Sequence, residues 1–326
     1  VVLAATDAAN TATAHTITVT ITNTNDESPT DMALSAASAA ENAAAGTDIG
    51  TLSTTDGDAS GNSHVYTLVT DSGGATAYSG TDFAIDSAVL EVGSSPSFDY
   101  ETTTSYTVYV KVSDGSNTPY VEGFTISITD INDNTPSFTD GDSASASVEE
   151  GATTVATYAA TDGDSSTAHN TIAYSVSGGA DSSLFSVVST TGALTFSTAP
   201  DYDSGSACAA GNSCVVELTA SDTADTDTIT VTIAITDAND QAPTYSGGDT
   251  TPSVAEGTTA VDSFTVVDTD SGDSNTCSLG GADAASFACS VSGDSISIAF
   301  VTAPDYETPG SAASTNVYAM TATISD

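Results

Sequence analysis

Three short stretches of the chain crowd oxygen-bearing side chains in front of a proline: "TNTNDESP" at 22–29, "TDINDNTP" at 129–136 and "TDANDQAP" at 236–243. A turn between strands would account for Asn, Asp and Pro in any one of them. The same pair nevertheless returns as Asn25-Asp26, Asn132-Asp133 and Asn239-Asp240, at a constant interval of 107 residues. The chain is therefore a tandem repeat. Carboxylates, amides and carbonyls are the ligands that hard divalent cations, Ca²⁺ above all, collect in sets of six to eight.

Aligning the repeats on that pair brings further acids into register. A Glu opens each repeat (Glu41, Glu150, Glu256), and an Asp-x-Asp follows the second strand (Asp56 and Asp58, Asp162 and Asp164, Asp268 and Asp270). An Asn comes shortly after, at Asn62, Asn170 and Asn275. Late in each repeat stands an acid-Tyr-acid triplet, carrying Asp99 and Glu101, Asp201 and Asp203, or Asp305 and Glu307. A single Asp then closes the penultimate strand, at Asp7, Asp114, Asp222 and Asp326. On extended chain an acid-x-acid aims both carboxylates to one side. Any one triplet is an ordinary solvated turn, but five elements in one order across three repeats are not.

The elements that must hold these acids are strands. "HTITVTI", "SYTVYVKV" and "TITVTIAI" alternate apolar and polar residues between turn residues, and no long stretch has helical periodicity. No apolar run approaches 18 residues, so nothing in the sequence spans a membrane, and "VVLAATDAAN" lacks the charged flank of a signal peptide. The 326 residues divide by the period into roughly three parts, each long enough to bury its own core. With 44 acids against one base, Lys111, the formal net charge is −43. Attraction to nucleic acid or to acidic membranes is thereby excluded. Clustering of the acids at repeated places favours metal sites over a uniformly halophilic surface. The four cysteines read as two local disulfides, Cys208–Cys214 and Cys277–Cys289, the second on neighbouring strands, with a zinc site as the alternative. Disulfides point outside the cytoplasm. An enzyme would need an active site that breaks the repeat symmetry; a glycosidase-like carboxylate pair or a carbohydrate-binding module is the remote alternative. His15, His64 and His169 occupy unmatched places and read as surface residues.

In these motifs the chain resembles the cadherin repeat over its whole length, and in composition it is most similar to bacterial surface adhesins. The resemblance implies an all-β chain of tandem seven-stranded Greek-key sandwiches, immunoglobulin-like and set in a linear rod, with about three Ca²⁺ at each junction. It implies a first junction of Glu41, Asp99, Glu101, Asn132, Asp133, Asp162, Asp164 and Asp222, with carbonyls from Ile131, Asn134 and Asn170. The second would use Glu150, Asp201, Asp203, Asn239, Asp240, Asp268, Asp270 and Asp326, with carbonyls from Ala238, Gln241 and Asn275. Asp203 is one methylene shorter than the family's Glu, and Asn23 replaces the linker's first Asp, a position therefore left out of the set. Expected domains are a repeat's final strands and linker at 1–26, repeats at 27–134 and 135–241, and a repeat lacking its last strand at 242–326.

The ends complement each other. Residues 1–7 match a penultimate strand and 15–22 a final one, while "YAMTATISD" stops on a penultimate strand. Glu256, Asp305 and Glu307 make one half of a site, and Asn25, Asp26, Asp56, Asp58, Asn62 and Asp114 the other. The expected partners are other copies joined head to tail, residues of about 8–26 completing the third repeat of the next copy, or a covalent continuation of the same geometry. The expected function is a calcium-rigidified extracellular filament or stalk, with a calcium-dependent cell-surface adhesin as alternative. The strand exchange of vertebrate adhesion cadherins needs a Trp that this chain lacks. O-glycans on its many Ser and Thr are compatible with composition alone.

Overall fold

In a computed structural model of the chain, residues 1–5, 9, 13–58, 63–205, 207–272 and 274–326 are described. They form two compact units, one of Val1–Thr135 with Asp162–Thr171, the other of Pro136–Thr161 with Ile172–Asp326. The architecture is the expected one: its regular secondary structure is nearly all strand, in tandem β-sandwiches.

The first unit contains one complete sandwich. One sheet runs in the order Ser38–Ala40, Tyr120–Thr129, Ser105–Ser113, Val65–Val69, and the facing sheet in the order Asp31–Leu34, Asp48–Thr55, Val89–Val92, Phe83–Asp86. The chain crosses from one sheet to the other between Asp31–Leu34 and Ser38–Ala40, and the latter pairs in parallel with Tyr120–Thr129. Ser105–Ser113 is paired along both edges. Its alternation buries Val108, Val110 and Val112 and turns Lys111 outward, where Nζ donates to Gly74 O at 3.3 Å. Ahead of this sandwich, Val2–Ala5 pairs antiparallel with Thr13–Thr16. The expected final strand over 15–22 is thus shorter, since residues 17–22 lie outside any strand. Val1, Leu3, Ile17, Val19 and Ile21 are exposed. Among the described residues no second sheet covers these two strands, and an isolated pair of strands buries little apolar surface.

The second unit holds two sandwiches. In the first of them Ser143–Glu149, Thr226–Thr236, Ser213–Ser221 and Ala173–Gly178 form one sheet, and Thr154–Thr157, Ala193–Phe196 and Phe185–Val187 the other. Period-two sequence explains the packing: Cys214, Val216, Leu218, Ala220, Ile229, Val231 and Ile233 are fully buried between the sheets. The next sandwich pairs Thr244–Gly247, Ala260–Val267, Ser295–Phe300 and Phe287–Ser292 against the two-stranded sheet Thr276–Gly280 and Thr321–Ser325. Among the described residues, five apolar side chains are buried in its core against sixteen in its predecessor. The difference is the sheet partner: Thr321–Ser325 pairs along one edge, whereas Ser213–Ser221 pairs along both.

Both disulfides form as expected from the sequence, Cys208–Cys214 and Cys277–Cys289. The second differs from expectation in place. Cys277 pairs through its strand with Thr321–Ser325 and Cys289 through its own with Ser295–Phe300, so the bridge joins opposite sheets of the smallest core. In the other repeats a tyrosine spans the sandwich near this place, Tyr66 through a hydrogen bond with Thr54 Oγ1 (2.8 Å) and Tyr174 by accepting from Ala160 N (2.8 Å). A covalent staple substitutes for that contact. Its closed loop is of the size worth about 3 kcal/mol. Cys277→Ser with Cys289→Ser is expected to lower the last repeat's melting midpoint with the preceding one unmoved, measured by circular dichroism; equal shifts in both would show that the bridge is not local.

Candidate metal centres

The opening glutamates are anchored through backbone amides. Glu41, 2% exposed, accepts from Tyr100 N with one oxygen and from Ile131 N with the other, both at 2.7 Å. Glu150 repeats the pattern with Tyr202 N (2.7 Å) and Ala238 N (3.0 Å). Each buried carboxylate thus ties the acid-Tyr-acid turn to the following linker. Glu256 takes Tyr306 N at 3.1 Å and is exposed. After each glutamate the chain turns with positive φ, at Asn42 (53°), Gly151 (76°) and Gly257 (73°), a conformation that Gly and Asn tolerate best. Asn42 then donates its amide to Asp133.

The other motifs build tight turns of their own. In every Asp-x-Asp the second amide donates to the first carboxylate: Asp58 to Asp56 (3.0 Å), Asp164 to Asp162 (2.8 Å) and Asp270 to Asp268 (3.1 Å). Asp99, Asp201 and Asp305 accept from amides two or three residues ahead. The strand-closing acids do likewise, Asp114 with Ser116 N and Asn117 N, Asp222 with Ala224 N and Asp225 N. These amides fix where the carboxylates point, and a carboxylate has lone pairs left over for a cation. Buried Asp181 and Asp283 use both oxygens on backbone amides and belong to loop structure instead.

In the first unit, oxygens of Glu41, Asp99 and Glu101 lie within 4.8 Å of one another, and so do those of Glu101, Asp133 and Asp164. A cavity of about 220 Å³ opens among Glu41, Asn42, Asp99, Glu101, Asp133 and Asn134. The second unit repeats both groups, with Glu150, Asp201 and Asp203 in one and Asp203, Asp237 and Asp270 in the other. The last acid of the triplet joins the two groups each time, even where it is the shorter Asp203. Linker residues lie close by: the Asn134 side chain donates to Asp164 (2.9 Å) and Asp133 (3.1 Å), the Gln241 side chain to Asp240 (2.8 Å) and the Gln241 backbone N–H to Asp270 (2.8 Å). Asn170 N closes its loop on Ser166 O (3.0 Å). Asp26, Asp305, Glu307 and Asp326 are exposed, and Asp7 and Asn62 lie outside the described residues.

The electrostatics suit a cation. Both oxygens of Asp203, Oδ1 of Asp237, Oδ2 of Asp268, Oδ1 of Asp270 and Oδ1 of Asn275 are buried without a hydrogen-bond donor. Buried anionic oxygens left unpaired are costly, and a hard divalent ion satisfies all of them at once. Burial, followed by repulsion from Asp270, Glu150, Asp237 and Asp240, pushes the Asp203 carboxyl up to about 6. Burial also raises Glu101. Hydrogen bonds from Ser271 lower Asp237, and those from Asn117 and Ser116 hold Asp114 at about 2.

Two participants escaped the sequence reading. Asp237 lies in the second oxygen group, and Asp130 at the same linker position has a buried oxygen, Oδ1, without a donor. The recurrence of Asp130 and Asp237 was the available signal, masked by Asn23 in the first linker. Two histidines also differ from expectation: His169 Nδ1 meets Asp130 at 2.8 Å, and His64 Nε2 meets Asp56 at 3.2 Å, so these are partners of candidate ligands, not bystanders. Loop positions after Asp-x-Asp fold back on the acids, which linear spacing does not reveal. His15 is exposed.

The cadherin-domain family model matches residues 35–129 and 144–236, more than half of the chain. The chain belongs to the cadherin family. Cadherin domains in general bind Ca²⁺. Among solved structures, the cadherin repeats here are similar to the protocadherin GammaB4 extracellular domain, at 24% identity and a TM-score of 0.60, over 87% of this chain and 45% of that one. Mouse cadherin-23 EC22-24 matches at 23% identity and a TM-score of 0.56, over 86% and 90%. The human desmocollin-1 ectodomain matches at 21% and 0.54, over 87% and 56%. Likeness at these identities is one of fold, and this cadherin chain spans less than half the length of the protocadherin. No curated protein sequence matches it.

Proposed function

We propose that the chain is part of a calcium-stiffened extracellular filament or stalk, built from cadherin repeats at 27–134, 135–241 and 242–326 and continued head to tail. The observation that carries this reading is the set of buried, donorless oxygens on Asp203, Asp237, Asp268 and Asp270. Such a set is unstable as bare anions and stable around metal. The acids act as ligands, held still by backbone amides, and no catalytic role is assigned to them. Glu41, Asp99, Glu101, Asp130, Asn132, Asp133, Asp162 and Asp164 serve the first junction; Glu150, Asp201, Asp203, Asp237, Asn239, Asp240, Asp268, Asp270 and Asp326 serve the second.

End-to-end continuation draws support from the open edge of Thr321–Ser325 and from the exposed apolar residues Leu3, Ile17, Val19 and Ile21. A strand edge and an uncovered apolar face are the two halves of a strand-addition joint, whether supplied by a second copy or by continuing chain. Calcium titration by calorimetry tests the metal reading: saturation at about six ions or more is expected from two full junctions at six to eight oxygens per ion. Saturation below about four ions overturns it.

A further inference from the structure

At the amino-terminal linker, a side-chain amide of the same chain meets oxygens that the repeat pattern would offer to a cation. Asn117 Nδ2 lies within hydrogen-bonding distance of Asn25 Oδ1 (2.8 Å), Glu27 O (2.7 Å) and Asp114 Oδ2 (2.7 Å), three acceptors that share its two N–H protons. A carbonyl and a carboxylate can only accept, so the amide nitrogen and not the amide oxygen must face them. Asn25 Nδ2 returns a bond to Asp114 O at 3.1 Å. Around this centre, Asp114 Oδ1 takes the amides of Ser116 and Asn117, Asp56 takes Asp58 N and His64, and Asp58 Oδ2 takes Glu27 N at 3.1 Å. The set differs from the one in the second unit, where Asp203, Asp237, Asp268 and Asp270 keep buried oxygens without donors.

We propose that Asn117 is a built-in substitute for a cation, pinning the linker 23–27 to the first repeat without metal and standing where this cluster would otherwise take an ion. Three acceptors from three places, a linker side chain, a linker carbonyl and the strand-closing acid, converge on one NH₂ as they would on an ion. The residue at this place differs between repeats: Asn10 stands three residues after Asp7, outside the described residues. Asp225 stands three residues after Asp222 just as Asn117 stands three after Asp114, and a carboxylate has no proton to donate there.

The inference rests on the calcium reading, and the test separates the two. Full-length wild type, Asn117→Asp and Asn117→Ala are titrated with calcium chloride by calorimetry, and hydrogen exchange over 23–30 is followed in EDTA. Asn117→Asp, which places at 117 the residue type found at 225, is expected to bind one more calcium ion than wild type. Both variants are expected to exchange about tenfold faster over 23–30 in EDTA, the loss of charge-assisted hydrogen bonds, with 213–221 unchanged as the report of intact folding. An equal ion count in wild type and Asn117→Asp, or unchanged exchange over 23–30, overturns the proposal. Failure of all three proteins to take up calcium would instead strike the calcium reading, and exchange alone would then decide the amide's role.

Discussion

Glu150→Ala is expected to destabilise the second sandwich by about 2–6 kcal/mol, because loss of the buried carboxylate strands two part-buried amides, Tyr202 N and Ala238 N, each costing about 1–3 kcal/mol once unpaired. Glu256→Ala removes the same side chain from the same repeat position, but there the carboxylate is exposed and holds one amide at 3.1 Å. Its cost should stay below about 1 kcal/mol, since water replaces the lost partner. Urea unfolding in EDTA, followed by circular dichroism, compares the two with the metal contribution removed. Equal losses would mean that the glutamate acts through something other than its backbone clamp.

Calcium removal should have the other large effect. At ten times Kd each ion adds about 1.4 kcal/mol, so three ions add about 4 kcal/mol, and chelation is expected to lower the melting midpoint by about 15 °C or more. The effect should shrink in acid. With its folded pKa raised to about 6, Asp203 binds a proton more readily in the folded state than in the unfolded one, so the calcium-free fold gains stability as the pH falls through 6. Calcium must displace that proton, and its contribution falls in the same window. Melts with calcium and with EDTA at pH 7.5 and pH 5 measure the difference. A gap as wide at pH 5 as at pH 7.5 would remove Asp203 from the site.

Much of this organisation was legible because repetition amplifies weak signals. Asp-x-Asp alone is a common turn; three of them in step with three opening glutamates and three Asn-Asp pairs are a pattern, and the strands that carry them show plain alternation. What stayed hidden was produced by chain reversal across the sandwich. The Cys277–Cys289 bridge joins sheets whose pairing no local period encodes. His64, His169 and Asn117 sit in loops of unremarkable composition, and their partners Asp56, Asp130 and Asn25 become neighbours only once the loops have folded back. Asp130 and Asp237 were obscured for a different reason: one repeat out of three carries Asn23 in their place, which removed them from an alignment that demanded strict identity.

Lys111 is the chain's only lysine or arginine, so a protease that must read a basic side chain has one peptide bond to attack, between Lys111 and Val112. That bond lies in a strand hydrogen-bonded along both edges, and the side chains on either side of Lys111, Val110 and Val112, are fully buried. A protease needs the segment pulled out into extended, accessible chain, which here requires the central strand of the first repeat to leave its sheet. Trypsin digestion of the whole 326-residue chain would therefore proceed at the pace of a single event, the opening of that one sandwich, and would leave the others intact however often they open.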